Sequence, residues 1–450
     1  MRPLSTGYVA ALTLMWGALS FHWTVLTNNI LPTRALQFAD ETTKGSVLGW
    51  VTVAGALVAT LTGPIIGVLS DRSRSRWGRR RPFLIAGMLL NVPALCALLA
   101  ADSLAGFVLG YMAVQFCVNV ASGPATALIP DQVPRVQQGQ ATGVAGLADV
   151  VGRMTGSLAG GLLIAAPALS GAIAPWLGIL PAALRSEPML PLVGLLVAVT
   201  VGSMLVTAAT VREAPPALVS ARRGERLWRA FVFDVRAAPA FAWLLASRLC
   251  VMLAVTTLVT FLLYYVRDYL GVSDVAEANA RLGYLYAVSA VATLPTALGV
   301  GVLIDRHGHR KAWVYASTVG LALVAVAFLA VGRFATALLV AALFGVCWGG
   351  YFTSSWALAL VLLPRGDEAA KFLGIWNIAA TVPAIVAPGV GGMLLDSFNR
   401  VGPTWGYTVL FLTVVLYNVA SAALLGRVHE PPVDAIPAHE HGRPTGSPLR

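Results

Sequence analysis

Asp149 and Arg153 stand four residues apart in an apolar, glycine-rich run, LADVVGRMTGSLAGG. On a helix that spacing puts a carboxylate and a guanidinium on one face. Charges are costly in hydrocarbon, so a pair retained there either neutralises itself as a structural link or serves a solute or a proton. A carboxylate takes a proton more readily when its cationic partner turns to a substrate. Asp149 is therefore the candidate proton carrier, and Arg153 both its partner and a candidate substrate ligand. Gly152, Gly156 and Gly160 recur every fourth residue beside them, a stripe that lets a second helix approach closely.

Hydrogen-bonding and aromatic side chains in other apolar runs could hold a solute. They are His22, Trp23 and Asn29; Gln115 and Asn119, four residues apart; Trp348, Tyr351 and Trp356; and Trp376 with Asn377. Together they suit a hydroxyl-rich or amphipathic molecule better than a bare ion, although tryptophans also populate membrane interfaces and single amides bridge helices. Arg248, in ASRLCVML, stands close enough to the end of its run to snorkel. Cys96, Cys117, Cys250 and Cys347 fall inside apolar runs without any C-x-x-C spacing and are expected to be packing residues. No metal and no cofactor is expected; the proton is the expected coupling ion.

The elements that must position these residues are membrane helices. The chain has 450 residues, of which 57% are hydrophobic and 11% charged, and its mean hydropathy is +0.76. A hydrocarbon core needs about 20 apolar residues per crossing. Twelve such runs lie near 8–31, 46–69, 83–101, 105–129, 141–163, 189–211, 240–265, 282–304, 312–331, 334–363, 372–395 and 406–426. With an inward N-terminus, 22 basic residues fall in inner segments and seven in outer ones. This asymmetry predicts a multi-pass protein of the cytoplasmic membrane with both termini cytoplasmic. The net charge of +11 then reflects topology and contact with anionic lipid, and no nucleic-acid partner is expected. The first run is longer than a signal-peptide core and is expected to stay as the first helix.

GVLSDRSRSRWGRRRPF, at 67–83, returns in part as GVLIDRHGHRKAW at 301–313, an offset of 234 residues. Two further pairs of segments match at offsets of 230 and 231. The expected organisation is a six-helix half over 1–211, a cytoplasmic linker over 212–239, a second half over 240–426 and a disordered tail over 427–450. Parallel six-helix repeats make the architecture of a major-facilitator transporter. The basic turns are candidate gating elements: Asp71, Arg72, Arg76, Arg79 and Arg80 in the first copy, Asp305, Arg306 and Arg310 in the second. Asp71 and Arg72 are expected to act as a pair there.

SDRSRSRWGRRRPF, ASGPATALIPDQVP, GIWNIAATVPAIVAPGVGG and RLCVMLAVTTLVTFLLYYVRDYLGV resemble the sucrose-transporter-like branch of the major facilitator superfamily, related to the glycoside–pentoside–hexuronide:cation symporters. The resemblance implies alternating access, a central site between the halves and proton coupling. It also implies a role for Asp131, beside Arg135, in gating or proton movement. Sodium-coupled melibiose-type relatives carry acids in the second span, where the run SVLGWVTVAGALVATLTGPIIGVL of this chain has none. Plant sucrose carriers place an arginine early in the fifth helix, where this chain reads GQATGVAG.

The expectation is an all-α, twelve-helix transporter carrying out proton-coupled symport of a sugar or glycoside, with efflux of amphipathic molecules as the alternative. The expected partners are a small-molecule substrate and the lipid bilayer, and the expected state is a monomer. Enzyme motifs for phosphate binding, zinc hydrolysis or a nucleophile elbow are absent from the sequence.

Overall fold

Lipid offers no hydrogen bonds to a backbone, so a chain this apolar must satisfy its peptide groups internally, and it does so in helices. The computed structural model describes residues 4–166, 168–169, 172, 184, 187–211, 213, 238–362, 369–402 and 404–430. Nearly all of the expected linker and the tail beyond 430 lie outside the described residues.

Twelve described helices are long and apolar enough to cross a membrane. In the first half they are α1 (Thr6–Ala35), α2 (Lys44–Arg72), α3 (Arg81–Leu99), α4 (Leu104–Gln132), α5 (Arg135–Ile164) and α6 (Leu190–Thr210). In the second half they are α7 (Pro239–Tyr269), α8 (Val275–His307), α9 (Arg310–Leu329), α10 (Phe334–Leu362), α11 (Ala369–Asn399) and α12 (Trp405–Gly426). The start of α1 and the end of α12 share one side of the bundle, here the near side; α1 ends on the far side.

Local structure repeats between the halves. α1 and α7 each widen to π-type turns at their far ends, over Leu26–Ile30 and Tyr265–Tyr269. On the near side, Gly78 and Gly308 take positive φ values of 106° and 70°, a conformation glycine adopts without strain. Each precedes a helix whose first amides need acceptors. Glu213, just past α6, accepts from the amides of Arg80 and Arg81 at 2.8 and 2.9 Å, opening α3. Glu430, just past α12, accepts from those of Arg310 and Lys311 at 3.1 Å, opening α9. Each half thus ties its basic turn to the end of its own last helix.

Glycine decides which helices touch. A Cβ on Gly152 of α5 would lie 2.1 Å from the carbonyl oxygen of Gly17 on α1, and one on Gly345 of α10 would lie 2.1 Å from that of Ser289 on α8. The halves meet in the same manner, and they do so toward the far side. A Cβ on Gly49 of α2 would lie 2.4 Å from Pro388 O of α11, and one on Gly161 of α5 would lie 2.6 Å from Asn279 O of α8. At 3.6 residues per turn, Gly63 shares the face of Gly49, and Gly143 that of Gly161, but both lie toward the near side. Neither would meet any atom within 4 Å. The helix pairs therefore close on the far side and part toward the near side, leaving a cleft open there.

These contacts set an expected outcome. Gly152→Val overpacks the α1–α5 seam and should cost about 1–3 kcal/mol of stability, while Gly143→Ala should be neutral. Thermal melting of the two variants in detergent checks it; equal melting temperatures would contradict the packing.

Candidate functional site

Asp149 occupies the midpoint of α5, and its carboxylate receives Arg153 Nε at 3.0 Å and Nη2 at 3.1 Å. The Ser20 hydroxyl of α1 also donates to Asp149. The expected pair is thus formed, with a third partner that spacing along α5 could not reveal. Gly152, Gly156 and Gly160 press on α1, and Ser157 and Gly161 lie toward α8. Arg153 projects on the arc between those two faces, so it points into the cleft, and its side chain is 65% exposed. Trp16, Trp23 and Thr27 continue the cleft-facing line of α1 beside Ser20 and are half-buried.

The remaining candidate ligands do not converge on this pair. His22 is fully buried, packs edge-on against Trp23 at 5.5 Å, and neither ring nitrogen has a hydrogen-bond partner among the described residues. Gln115 donates to the Tyr111 hydroxyl at 2.6 Å, and Asn119 donates to the Gln115 backbone at 2.8 Å, a ladder along α4. Asn29 belongs to the far-side seam, where its amide donates to Asn279 at 3.2 Å. Trp348 stacks on Tyr351 at 5.9 Å, and Tyr351 and Trp376 are buried. Trp356 meets Trp376 edge-on at 5.6 Å. The side chain of Asn377 lies outside the described residues.

Arg248 corrects the snorkelling expectation. It stands nine residues into α7, is 6% exposed, and its guanidinium lies 4.1 Å from the Trp376 ring centre and 5.9 Å from that of Trp356. The ring faces of two neighbouring helices hold it inside the second half.

At the near-side turn the partners differ from those expected. Asp71 pairs with Arg80 at 2.6 Å and not with Arg72. Asp131 pairs with Arg79 at 2.7 Å and Arg80 at 3.0 Å, and the side chain of Arg135 is not among those described. Arg80, nearly buried, therefore ties the end of α2 to the end of α4, and it also donates to Ser70 at 2.6 Å. Arg72 and Arg76 are exposed, Arg76 lying over Trp77 at 5.9 Å. In the second copy Arg310 faces Glu430 at 3.8 Å, while Asp305 and Arg306 make no ion pair among the described residues.

The far side carries a network that the sequence reading missed. Lys44, only 3% exposed, pairs with Glu41 and with Asp268 of α7, the latter at 2.6 Å. Arg267 joins Asp268 at 2.8 Å and Glu41, and Tyr407 donates to Asp268. Asp396 of α11 accepts from the amides of Gly45 and Ser46 at 2.9 and 2.6 Å, capping α2 from the other half. Asn279 donates to Thr33 at 3.0 Å, and Tyr264 to Pro32 O at 3.1 Å. The signal lay in charges at run ends: Arg267-Asp268 follows the seventh run, and Asp396 stands one residue beyond the eleventh as bounded above.

A family model described as Major Facilitator Superfamily matches residues 8–367 and 278–449. The chain is 34% identical over 124 residues to the general alpha-glucoside permease of Schizosaccharomyces pombe and 24% identical over 165 residues to the sucrose transport protein SUT1 of Oryza sativa subsp. japonica. These matches span 24% and 32% of this chain and 22% and 30% of the relatives' lengths. Among solved structures, a bacterial homolog of the human lysosomal transporter Spinster, in an inward-facing and unoccupied conformation, aligns at a TM-score of 0.71 and 17% identity, covering 94% of this chain and 97% of that one. A D-xylose-proton symporter aligns at 0.66 and 16% identity, covering 95% and 99%.

The far-side network gives a pH prediction. Burial opposes the charge of Glu41, but hydrogen bonds and charges from Lys44 and Arg267 outweigh it and hold the carboxyl below its ordinary value of 4.5. Its contribution to closure is therefore full above that value and is lost as pH falls through the lowered one. Spin labels on the exposed far-side positions Thr42 and Val401 should move apart on acidification in the otherwise native protein but show no such acid step in Glu41→Gln. An unchanged acid response in the variant would remove Glu41 from the closure.

Proposed function

The chain belongs to the Major Facilitator Superfamily, and from that premise we propose that it is a secondary transporter, not an enzyme, which carries a sugar or glycoside with protons by alternating access. The observation that carries this reading is the Asp149–Arg153 pair at mid-depth on a cleft closed toward one side only. The printed names of the relatives, an alpha-glucoside permease and a sucrose transport protein, support the substrate class.

On this reading the near side is cytoplasmic, because the basic turns lie there, and the conformation faces inward. Solute reaching the cleft engages Arg153, which loosens its hold on Asp149 and lets that carboxylate take a proton. The Ser20 hydroxyl remains to satisfy the carboxylate while the arginine is turned away. Opening outward requires parting Lys44 from Asp268 and Asp396 from the start of α2, so the far-side network sets the energy of the closed state. Arg80, bridging Asp71 and Asp131, is the matching near-side element. Residues 1–211 and 240–426 move as the two halves, joined by the 212–239 linker.

Two measurements test the proposal. Asp149→Asn in liposomes should abolish pH-driven uphill accumulation of the transported sugar yet leave exchange measurable; undiminished proton uptake in this variant would exclude Asp149 as the carrier. Strict sodium dependence would overturn proton coupling itself. Separately, a reporter fused after Arg427 should read cytoplasmic and one near Lys44 extracytoplasmic, and reversed readings would end the orientation.

A further inference from the structure

Arg248 is a buried cation without a counter-ion among the described residues. A guanidinium stacked on a ring face directs its N–H groups outward in its own plane, so the aromatic box stabilises the charge and leaves the donors unused. Among the described residues its Nε and Nη1 atoms have no hydrogen-bond partner, and the indole N–H of Trp376, beside it, has none either. The Tyr351 hydroxyl stands beside the guanidinium as a neighbouring acceptor. Three buried donors therefore share a small region that presents one acceptor.

Buried donors left unmade are expensive, and an uncompensated buried charge is more so. Water could satisfy single donors but would leave the charge. An anionic oxygen group answers both needs. Charge around the cleft points the same way: Asp149 and Arg153 cancel each other, which leaves Arg248 as the unbalanced mid-membrane charge among the described residues. Access is available along α10, where Trp348 and Trp356 are half-buried at the edge of the box, while Trp376 closes its floor.

Building on the proposed sugar reading, we infer that Arg248, with Trp376 and Tyr351, is a carboxylate-binding subsite, and that the favoured substrate is an acidic sugar. A monocarboxylate carried with one proton moves no net charge, whereas a neutral sugar carried with a proton moves one.

The test uses the purified full chain with D-glucuronate, D-glucose and the non-sugar benzoate, read by tryptophan fluorescence and by direct binding. Wild type should favour glucuronate over glucose by about tenfold or more, the scale of one charge-assisted contact. Arg248→Gln should erase that preference by weakening glucuronate binding much more than glucose binding, and Arg248→Lys should restore part of it. Should Arg248→Gln fail to fold, the wild type and Trp376→Phe decide the matter: glucuronate should change fluorescence in the former and do so much less in the latter. Equal binding of glucose and glucuronate, as expected if only water fills the box, would overturn the subsite and leave sugar transport standing. Benzoate binding that depends on Arg248, with neither sugar bound, would support the anion subsite and overturn the sugar reading. Binding of none of the three would overturn both.

Discussion

Along the α2–α11 and α5–α8 seams the two halves come closest where side chains are absent. At Gly45, Gly49 and Gly392 between α2 and α11, and at Gly161 between α5 and α8, backbone meets backbone at distances no Cβ would allow, and Gly283 lies tightly against Gly161. Lipid tails are as apolar as leucine, so no hydrophobic gain draws such helices together. Dispersion across close backbones and the hydrogen bonds that closeness permits must do so instead. Asp396 can reach the amides of Gly45 and Ser46 only because Gly392 lets α11 lie against the start of α2. Asn279 can reach Asn29 and Thr33 only because Gly161 and Gly283 admit α8 to α5. The same seams, continued by Gly63 and Gly143 without a partner, define where the cleft begins.

Charge follows that geometry. On the far side, Lys44 is nearly sealed from water yet contacts two carboxylates, so its desolvation is offset within the network. Each half contributes both signs there: Glu41 and Lys44 from one, Arg267 and Asp268 from the other. Separating the halves would leave Glu41 with Lys44 and Arg267 with Asp268, while Asp396 would give up the amides of Gly45 and Ser46. Such a closure is strong while formed and tolerable when broken, which suits an element that must do both. The near-side turns are built differently, since Glu213 and Glu430 each bind the basic turn of their own half.

Hydropathy made the twelve helices legible, because the bilayer imposes one requirement on every crossing. The glycine period of α5 likewise named a true seam. The Asp149–Arg153 pair was legible too, since helical spacing alone brings those groups together. Partners from other helices were not: Ser20 on Asp149, Arg80 on Asp71 and Asp131, and Asp396 on the start of α2 depend on tertiary placement that no local period encodes. The full burial of His22 and Trp376 was not legible either, because which face of a uniformly apolar helix looks inward carries almost no signal in such runs. Arg248 was misjudged for a related reason. Its distance from the helix end permits snorkelling, and only the rings of Trp356 and Trp376 on α10 and α11 make burial the better solution.

The repeat leaves the halves alike in frame and unlike in chemistry. Both have a glycine-packed seam, a π-type turn at the far end of the first helix and a carboxylate tied to the basic turn. Among the described residues, only the first places a carboxylate at mid-depth, and only the second surrounds a cation with aromatic rings. A protonatable group and a solute-stacking surface are difficult to optimise in one place, because the carboxylate needs polar partners whereas ring faces gain from excluding water. On the proposed reading, duplication removes the conflict by giving each half one task across a shared cleft. On the proposed reading, Arg153 joins them: it is held by the carboxylate of its own half and is open to whatever the other half binds.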